Sequence, residues 1–583
     1  MPETRRIPTS RGTDRPTFRI FTDGNEIDPS LQILGIRVSK SVNRIASAQL
    51  MILDGDPATG DFPASGNDAF VPGKEIEIKA GYHSDDNPIF KGIIVKLGVK
   101  AFENKPSLFR VECRDQAVKL SLKRKNRYFY EITDSELIEE LAREKSLEVE
   151  AESTSHTHAE LLQFHATDWD FLVSRAEANG LLVTTEDGKL VASPPDLSQD
   201  PNLSLEYGGN VLDFEFETDA RQQYAAVESF SWDAANQEAL QLEGNPPSGT
   251  LPGNLSPEDL AEAMDLDSYE LRHGGQLKDT ELQAWADAQL LKSQLAKVRG
   301  RVRIQGYGDI KPGQVVEMLG VGPRFEGKVL VSGVRHEINV QNWETQLELG
   351  LSTRWFAQEH PDMVAQQAHG LLPAINGLQI GLVTALESDP EGEDRVQVRL
   401  PIIDAAEEGA WARIASLDAG DNRGAFFRPE IGDEVVVGFL NDDPRHPVIL
   451  GMLNSSAKPA PVTAADDNHV KGFVTRSEMK MLFDDEKKAF TLETPGGKLI
   501  SVDEDAGEIK LEDENGNKVV MDSSGITIES ASDLTLKAAG DVTVEGTNVE
   551  ASANANFTAS GSAGSELSSS ATTVIQGAMV QIN

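Results

Sequence analysis

Asp533-Leu-Thr-Leu-Lys-Ala-Ala-Gly-Asp-Val-Thr-Val-Glu-Gly546 holds two successive copies of one pattern, an apolar-x-apolar strand followed by a small-residue turn. The pattern extends in both directions. Ile526, Leu534, Val542, Val549 and Phe557 form one apolar series, and Ile528, Leu536, Val544, Ala551, Ala559, Leu567, Ile575 and Ile582 form a second, with a spacing of eight and rare sevens. A fixed short period of this kind specifies a solenoid in which each repeat is one strand layer. Two buried apolar side chains per repeat contribute roughly 1.5–3 kcal/mol each. That is less than the backbone entropy lost on ordering the repeat, about 1–2 kcal/mol per residue. One chain therefore does not close this core. Three strands per layer around a common axis bury every inner side chain and leave no free sheet edge, so the sequence predicts an intertwined trimeric β-helix.

Upstream, Leu499-Ile-Ser-Val502, Glu508-Ile-Lys-Leu511, Lys518-Val-Val-Met521 and Gly525-Ile-Thr-Ile528 alternate with period two between turns at Asp505-Ala-Gly507 and Asn515-Gly516. The needle is thus expected over 478–583, on the order of 60 Å long at about 4.8 Å per layer. Its trimer core is read as Ile526, Ile528, Leu534, Leu536, Val542, Val544, Val549, Phe557, Leu567 and Ile575. Between Ala551 and Ala571 most interior positions shrink to Ala or Ser, where the fibre should narrow or weaken. Three copies of Met579, Val580, Gln581, Ile582 and Asn583 are expected to end together, with an apolar triangle near Ile582 open to a docking cap.

A length of 583 residues implies four or five domains, and a formal charge of −41 argues against nucleic acid or anionic membrane as a resting partner. The single cysteine, Cys113, has no internal disulfide partner, and Met1-Pro-Glu-Thr-Arg-Arg-Ile7 lacks the apolar region of a signal peptide. The chain is therefore expected to be made in a reducing cytoplasm without a signal peptide, a bacterial one if the family resemblance described below holds. No apolar run has the length of a membrane span.

The fold class expected is mainly β. Residues 1–16 form an arm, and 17–120 a first β-barrel with strands near 17–21, 33–38, 48–53, 75–80, 92–99 and 108–113. Residues 121–204 are mixed, with helices expected over Asp134 to Glu144 and from the capping-box-like Thr167-Asp-Trp-Asp170 to Gly180. Residues 205–370 form a second β-barrel that carries an acidic Pro/Gly-rich insertion from Asn236 to Gly275. A helix with core face Ala284, Ala288, Leu291, Leu295 and Val298 follows the insertion. The barrels echo each other: Pro72-Gly73 answers Pro312-Gly313, and Pro88-Ile-Phe90-Lys-Gly92 answers Pro323-Arg-Phe325-Glu-Gly327. Two related barrels in each of three chains make six similar modules, which suits a six-fold ring. Residues 371–454 hold five short strands with long polar loops, an OB-fold pattern, and 455–477 a linker. Residues 372–458 carry seven Lys/Arg against fifteen Asp/Glu, and the strands show no aromatic row, so oligonucleotide binding is not expected.

Three stretches carry a family resemblance. Phe164-His-Ala-Thr-Asp-Trp-Asp-Phe-Leu-Val-Ser-Arg-Ala-Glu-Ala-Asn-Gly180 looks like a hub helix, Val331-Ser-Gly-Val-Arg-His-Glu-Ile338 like a hub strand, and Gly432 to Gly451 like the OB module of VgrG-type spikes of contractile injection systems. With the octad needle behind them, the chain resembles the fused hub and needle of phage tails, most of all that of extracellular phage-tail-like particles, with type VI secretion or a phage as alternatives. The resemblance implies a homotrimeric hub and spike joining a hexameric inner tube and baseplate proteins to a membrane-puncturing needle. It also implies a PAAR-like tip protein encoded separately, since the chain is read as ending at Asn583. The particle would touch the target-cell envelope transiently and be released or membrane-anchored. The lysozyme-like domain that some relatives carry before the needle has no counterpart in the linker.

No catalytic residues, cofactor or metal site are expected. His156, His158 and His165 lie close in sequence but read as scattered imidazoles; His336-Glu337 has Val340 where a zinc protease motif needs a second histidine. Gly561-Ser-Ala-Gly-Ser565 sits inside the needle repeat rather than on a strand-to-helix elbow, and Gly320-Val-Gly322 precedes no phosphate-binding helix. Asp503-Glu-Asp505 and Glu512-Asp-Glu514 sit beside Gly507 and Gly516 as solvated turns rather than calcium ligands. A trimeric tailspike that cleaves glycans is the rival reading, but a thin octad fibre offers no groove for its acid pair. An adhesin is another, and it gives no reason for the duplicated barrel.

The register is testable. Leu536→Asp and Val544→Asp each set three unpaired carboxylates around one axis and are expected to dissociate the trimer or lower its melting temperature, whereas the outward Lys537→Ala leaves both unchanged. Equal thermal melts for the three variants would place the core one residue away.

Overall fold

The computed structural model describes residues 15–103 and 105–582; most of the arm expected over 1–16, and Asn583 of the tip set, fall outside them. The chain divides into two compact units, one running through Gly377 with Phe439–His446, the other comprising Leu378–Gly438 and Pro447 onward.

The first unit begins with β1 (Pro16–Thr22), β2 (Ile33–Ser41), β3 (Arg44–Leu53), β4 (Glu75–Tyr82), β5 (Asp85–Lys100) and β6 (Leu108–Arg114). Their side chains alternate between a core that holds Phe70, Phe90 and Phe109 and a wetter face. Antiparallel ladders join β1 to β4, β4 to β5, β5 to β6, β6 to β3 and β3 to β2. A second set follows: β7 (Leu203–Glu206), β8 (Val211–Glu217), β9 (Arg299–Gln305), β10 (Val315–Leu319), β11 (Gly327–Ile338) and β12 (Trp343–Leu349). Each strand pairs as its counterpart six places earlier does, β7 to β10, β10 to β11, β11 to β12, β12 to β9 and β9 to β8. One ladder differs in sense: β7 runs parallel to β10, where β1 runs antiparallel to β4.

The Pro-Gly echo is one turn built twice. The Gly73 amide donates to the Ile94 carbonyl at 2.8 Å and the Ile94 amide to the Lys74 carbonyl at 2.9 Å; Gly313, Val331 and Gln314 repeat the pair at 2.8 Å each. Both glycines have positive φ, 97° and 87°, a region costly for other residues. The second half of the echo is displaced. Ile78 pairs with Phe90 and Met318 with Gly327, so Phe90 answers Gly327 rather than Phe325. A tight hairpin at His83 and Ser84 lets β5 start early, whereas the longer loop through Gly320 and Gly322 leaves Phe325 two residues before its strand, stacked on Phe216 at 6.0 Å.

The two sets are not separate barrels. Gly333–Ile338 of β11 pairs with Ile36–Ser41 of β2, which fuses both, together with the two-residue strand Asn25–Glu26 beside β1, into one thirteen-stranded sheet, and Ile338 and Trp343 join the first core. His336 lies on this seam. It is fully buried, its Nδ1 is 3.0 Å from Thr345 Oγ1, and burial, with Lys40 nearby, pushes its pKa down to about 3. It is a neutral core histidine.

Helix α1 (Asp134–Arg143) starts at a Thr133 capping box, and α2 (Asp168–Ala178) at Thr167, whose Oγ1 accepts from the Asp170 amide at 3.0 Å. Helix α3 (Asp279–Leu295) buries more than the face expected for it: Ala288, Leu295 and Val298 are buried as expected, Leu282, Ala286 and Leu290 are buried as well, and Ala284 and Leu291 are only partly so. Two neighbours cause this. Ser229, on the strand Ala226–Asp233, donates its hydroxyl to the Leu282 carbonyl at 3.0 Å, and on another side Lys292 donates to Glu177 of α2.

In the second unit β13 (Gln379–Ala385), β14 (Val396–Arg399), β15 (Ala410–Ile414), β16 (Glu434–Phe439) and β17 (Pro447–Met452) close a barrel in the order β13-β14-β15-β17-β16 around Val383, Val398, Val437 and Ile449. The topology is the five-stranded OB fold. A seven-stranded meander follows: β18 (Val470–Val474), β19 (Lys480–Asp484), β20 (Ala489–Glu493), β21 (Leu499–Asp503), β22 (Glu508–Glu512), β23 (Lys518–Asp522) and β24 (Gly525–Glu529). It begins inside the expected linker, because Phe473 of β18 pairs with Met481 of β19. Beyond β24 no strand pairing occurs within the chain among the described residues, so the β-helix expected there is not formed by one chain.

A histidine depressed by burial takes up its proton only in the unfolded chain between its ordinary value near 6.5 and about 3. The stability it supports is fully present above pH 6.5 and declines as pH falls toward 3. His336→Leu is expected to remove about 2 kcal/mol of the stability lost between pH 7 and pH 5, read from thermal melts at both values.

Candidate functional site

The meander presents two unlike faces. Each strand has five residues, so its second and fourth side chains share one face and the others the opposite one. On the first face the cross-strand ladder Phe473–Met481–Leu492–Ile500–Leu511–Val519–Ile528 forms one continuous apolar row, and Phe483–Phe490–Val502–Ile509–Met521–Ile526 a second beside it. None of these side chains is buried within the chain. The opposite face is mixed, with Leu482, Leu499 and Val520 among Thr491, Ser501 and Lys510, and it carries the ion pairs Lys480–Glu493 at 3.1 Å and Lys518–Glu529 at 2.9 Å. The acidic clusters between strands are turn acceptors. Asp503 takes the Ala506 amide at 2.8 Å; Asp513 takes the Asn515 and Asn517 amides at 2.9 Å, and the Asn517 side chain and backbone hold its pKa near about 2.

Of the expected trimer core, Ile526 and Ile528 close these rows on β24. Leu534, Leu536, Val542, Val544, Val549, Phe557, Leu567 and Ile575 continue beyond it, each more than half exposed. At the tip, Met579, Val580, Gln581 and Ile582 are likewise exposed.

A second apolar feature lies on the OB module, in loop 415–428, which is pinned by a two-residue ladder between Ala419–Gly420 and Arg423–Gly424. Leu417 and Phe426 are 93% and 83% exposed. Phe427 turns back to stack on Phe473, ring centroids 5.1 Å apart and planes at 10°. Reasoning from strand patterns overlooked these residues; the adjacent aromatics Phe426-Phe427 amid Gly, Asp and Arg were the available signal.

A family model described as the Alg8 N-terminal domain matches residues 12–340, more than half of the chain. A second, the type VI secretion system/phage-baseplate injector OB domain, matches residues 379–453, the barrel described above. The chain belongs to the VgrG-type spike family of type VI secretion systems and phage baseplates. Among curated relatives, spike protein VgrG1a of Pseudomonas aeruginosa is 27% identical over 216 residues, 35% of this chain and 33% of that protein. VgrG3 of Vibrio cholerae is 32% identical over 117 residues, 18% of this chain and 11% of that protein. The chain thus spans a third or less of the length of these curated relatives. A solved tail protein from Neisseria meningitidis covers 58% of this chain and 98% of its own length at 17% identity and TM-score 0.44.

The hub of this VgrG-type spike gathers titratable groups that the sequence read as scattered. His156, His158 and Glu281 bring ligand atoms within 4.8 Å of one another, while His165 packs elsewhere, against His369 at 5.6 Å. The cluster is built around a guanidinium. Arg175 donates to both oxygens of Asp134 at 2.7 and 2.9 Å and to Glu281 at 3.2 Å, and its Nη2 lies 3.1 Å from His158 Nε2. A divalent ion among these ligands would sit against that charge. Burial raises the Asp134 pKa, but hydrogen bonds from His158, Arg175 and Asn179 outweigh it and hold the carboxyl well below its usual range. Burial and the neighbouring His158 push His156 down. The arrangement clamps α1, α2 and α3 of the VgrG-type hub together.

Arg175→Ala strands the Asp134 carboxylate and is expected to cost about 3–5 kcal/mol; adding Asp134→Asn should recover part of it. The lowered Asp134 pKa sets the sign: the stabilisation is full above its ordinary value of 3.8 and is lost as pH falls through the depressed one. Denaturant titrations of the single and double variants at pH 7 provide the check, and equal losses for the two would rule out the pairing.

Proposed function

We propose that the protein is a homotrimeric spike that joins the hexameric inner tube and baseplate of a contractile injection machine to a membrane-puncturing needle, and that it works mechanically, without catalysis or a cofactor. The observation that carries this reading is the uncovered apolar face: two rows along β18–β24, continued by the octad series from Leu534 to Ile575, which a single chain leaves exposed. Three copies wound round one axis turn those rows inward and leave the opposite face, with its ion pairs, outside. Axial load is then shared among many strand layers and three backbones.

The duplicated six-strand sets supply six related modules in three chains, a count that suits a six-fold tube. The formal charge of −41 favours protein partners over nucleic acid. At the far end the exposed Met579, Val580 and Ile582 suit a small conical tip protein, and contact with the target envelope would be transient. Extracellular phage-tail-like particles are the setting this reading favours.

Light scattering on the purified chain is expected to return three times 63.3 kDa, and a 63.3 kDa species would overturn the proposal. Deleting residues 579–583 should leave the chain trimeric but abolish retention of the tip protein in a pull-down from native particles. Retention by the truncated spike would move the docking site elsewhere.

A further inference from the structure

Near the end of β2 the hub buries a lysine. Lys40 pairs with Val334 across the seam, and its side chain is nine-tenths buried. It lines a cavity of about 230 Å³ bounded by three segments: the end of β2, the hairpin of Leu182–Glu186 and Lys189–Ser193, and the Pro312-Gly313 turn of the second set. The hairpin register sets Leu182 opposite Ser193 and Thr184 opposite Val191, so these side chains and Glu186 share one face, the cavity floor. Pro194, Pro195 and Pro312 supply apolar walls. The charged lining is Lys40, Glu186 and Lys311. Lys311 Nζ lies 2.8 Å from Glu186 Oε1, and Lys40 Nζ lies 3.7 Å from the same oxygen. The longer distance exceeds a hydrogen bond, and Lys40 Nζ has no acceptor nearer among the described residues. A buried ammonium whose three protons lack acceptors is costly. One carboxylate between two ammoniums also leaves one positive charge over. Asp115 does not balance it: that carboxylate lies outside the lining, accepts from the Ala117 and Gly188 amides at 2.9 and 3.0 Å, and has its pKa pushed up by burial.

We propose that this cavity binds a small monocarboxylic acid, whose carboxylate accepts from Lys40 Nζ and Lys311 Nζ and whose short carbon stem lies against the prolines, Leu182 and Val191. Charge and size select the ligand. A single negative charge balances the lining, whereas a doubly charged phosphate would face Glu186 with one charge unmatched. Sites for drug-sized molecules begin at about 300 Å³, so a cavity of about 230 Å³ suits a head group with a few carbons. The hydroxyls of Thr184 and Ser193 stand on the floor as further donors. Because the bounding segments belong to the first six-strand set, the mixed region and the second set, a bound acid would tie all three together. Occupancy would then be read as hub stability. The site lies within one chain and does not depend on how many chains assemble.

Butyrate tests this on the full chain at pH 7, with chloride at equal ionic strength as the blank and inorganic phosphate as the competing anion. Calorimetric titration is expected to show saturable butyrate binding, and thermal melts a midpoint that rises with butyrate and not with chloride. Lys40→Met keeps the stem and removes the ammonium, while Lys311→Gln alters a side chain that is half exposed and should leave the fold intact. Each should weaken butyrate about tenfold or more. Lys96→Gln, at a 68% exposed side chain on β5, should change nothing. If Lys40→Met does not fold, Lys311→Gln decides alone. Titrations without saturable heat would overturn the site and leave its lysines to water. Equal midpoint shifts in butyrate and chloride would reduce the effect to salt, and unchanged affinity in Lys311→Gln would put butyrate elsewhere; either result overturns the proposal. Phosphate that binds as tightly as butyrate would overturn the choice of a monocarboxylate.

Discussion

The constraint that governs the meander over 470–529 is that its strands are too short and too thin to bury what they carry. Five-residue strands with two apolar side chains on one face have no opposing layer within the chain, and a lone sheet of this kind leaves its hydrophobic surface in water. The register of the meander is nevertheless fixed. A slip of one residue would bring Lys480, Glu493, Lys518 and Glu529 into the apolar rows. Asx-type turns at Asp503, Asp513 and Asp522 hold the connections, and after β24 the repeat replaces hairpins with octads. Order within the chain is thus set locally, while the apolar rows stay uncovered within it.

The hub obeys a different economy. Its two six-strand sets each enclose a core with full burial, and the seam between β2 and β11 makes one sheet of both. A neutral histidine lies in that seam, and a guanidinium-centred cluster ties the helices beside it. Rigidity in this unit comes from long-range pairing and buried polar contacts.

The sequence made the alternating strands legible, since a period of two with turn residues at its ends leaves little freedom: the six strands of the first set, the OB strands and the period-two segments before the octads all stand where alternation placed them. The Pro-Gly turns were legible for the same reason, because positive φ after a proline singles out glycine. Pairing at a distance was not. Nothing local in Ile36–Ser41 announces Gly333–Ile338, and the Pro-x-Phe-x-Gly echo misled because loop length, not residue identity, fixes where β11 begins. The face of α3 escaped a single-stripe reading because the helix is enclosed on more than one side. The cluster of His156, His158 and Glu281 needed a fold to bring residues from two distant segments together, and Leu417 and Phe426 belong to a loop, where periodicity carries no signal. The octad core and tip rest on periodicity alone, and one chain leaves them uncovered.

The single reversed ladder of the hub sets a limit on symmetry. Because β7 is parallel to β10 while β1 is antiparallel to β4, the two six-strand sets present different backbone edges and cannot be exchanged. A ring made from three such chains would have six positions but only two kinds of seat, in alternation. Any partner built from six identical subunits would be obliged to sit on both kinds at once. Its hold would then have to rely on what the seats share, their spacing and curvature, rather than on a side-chain code specific to either.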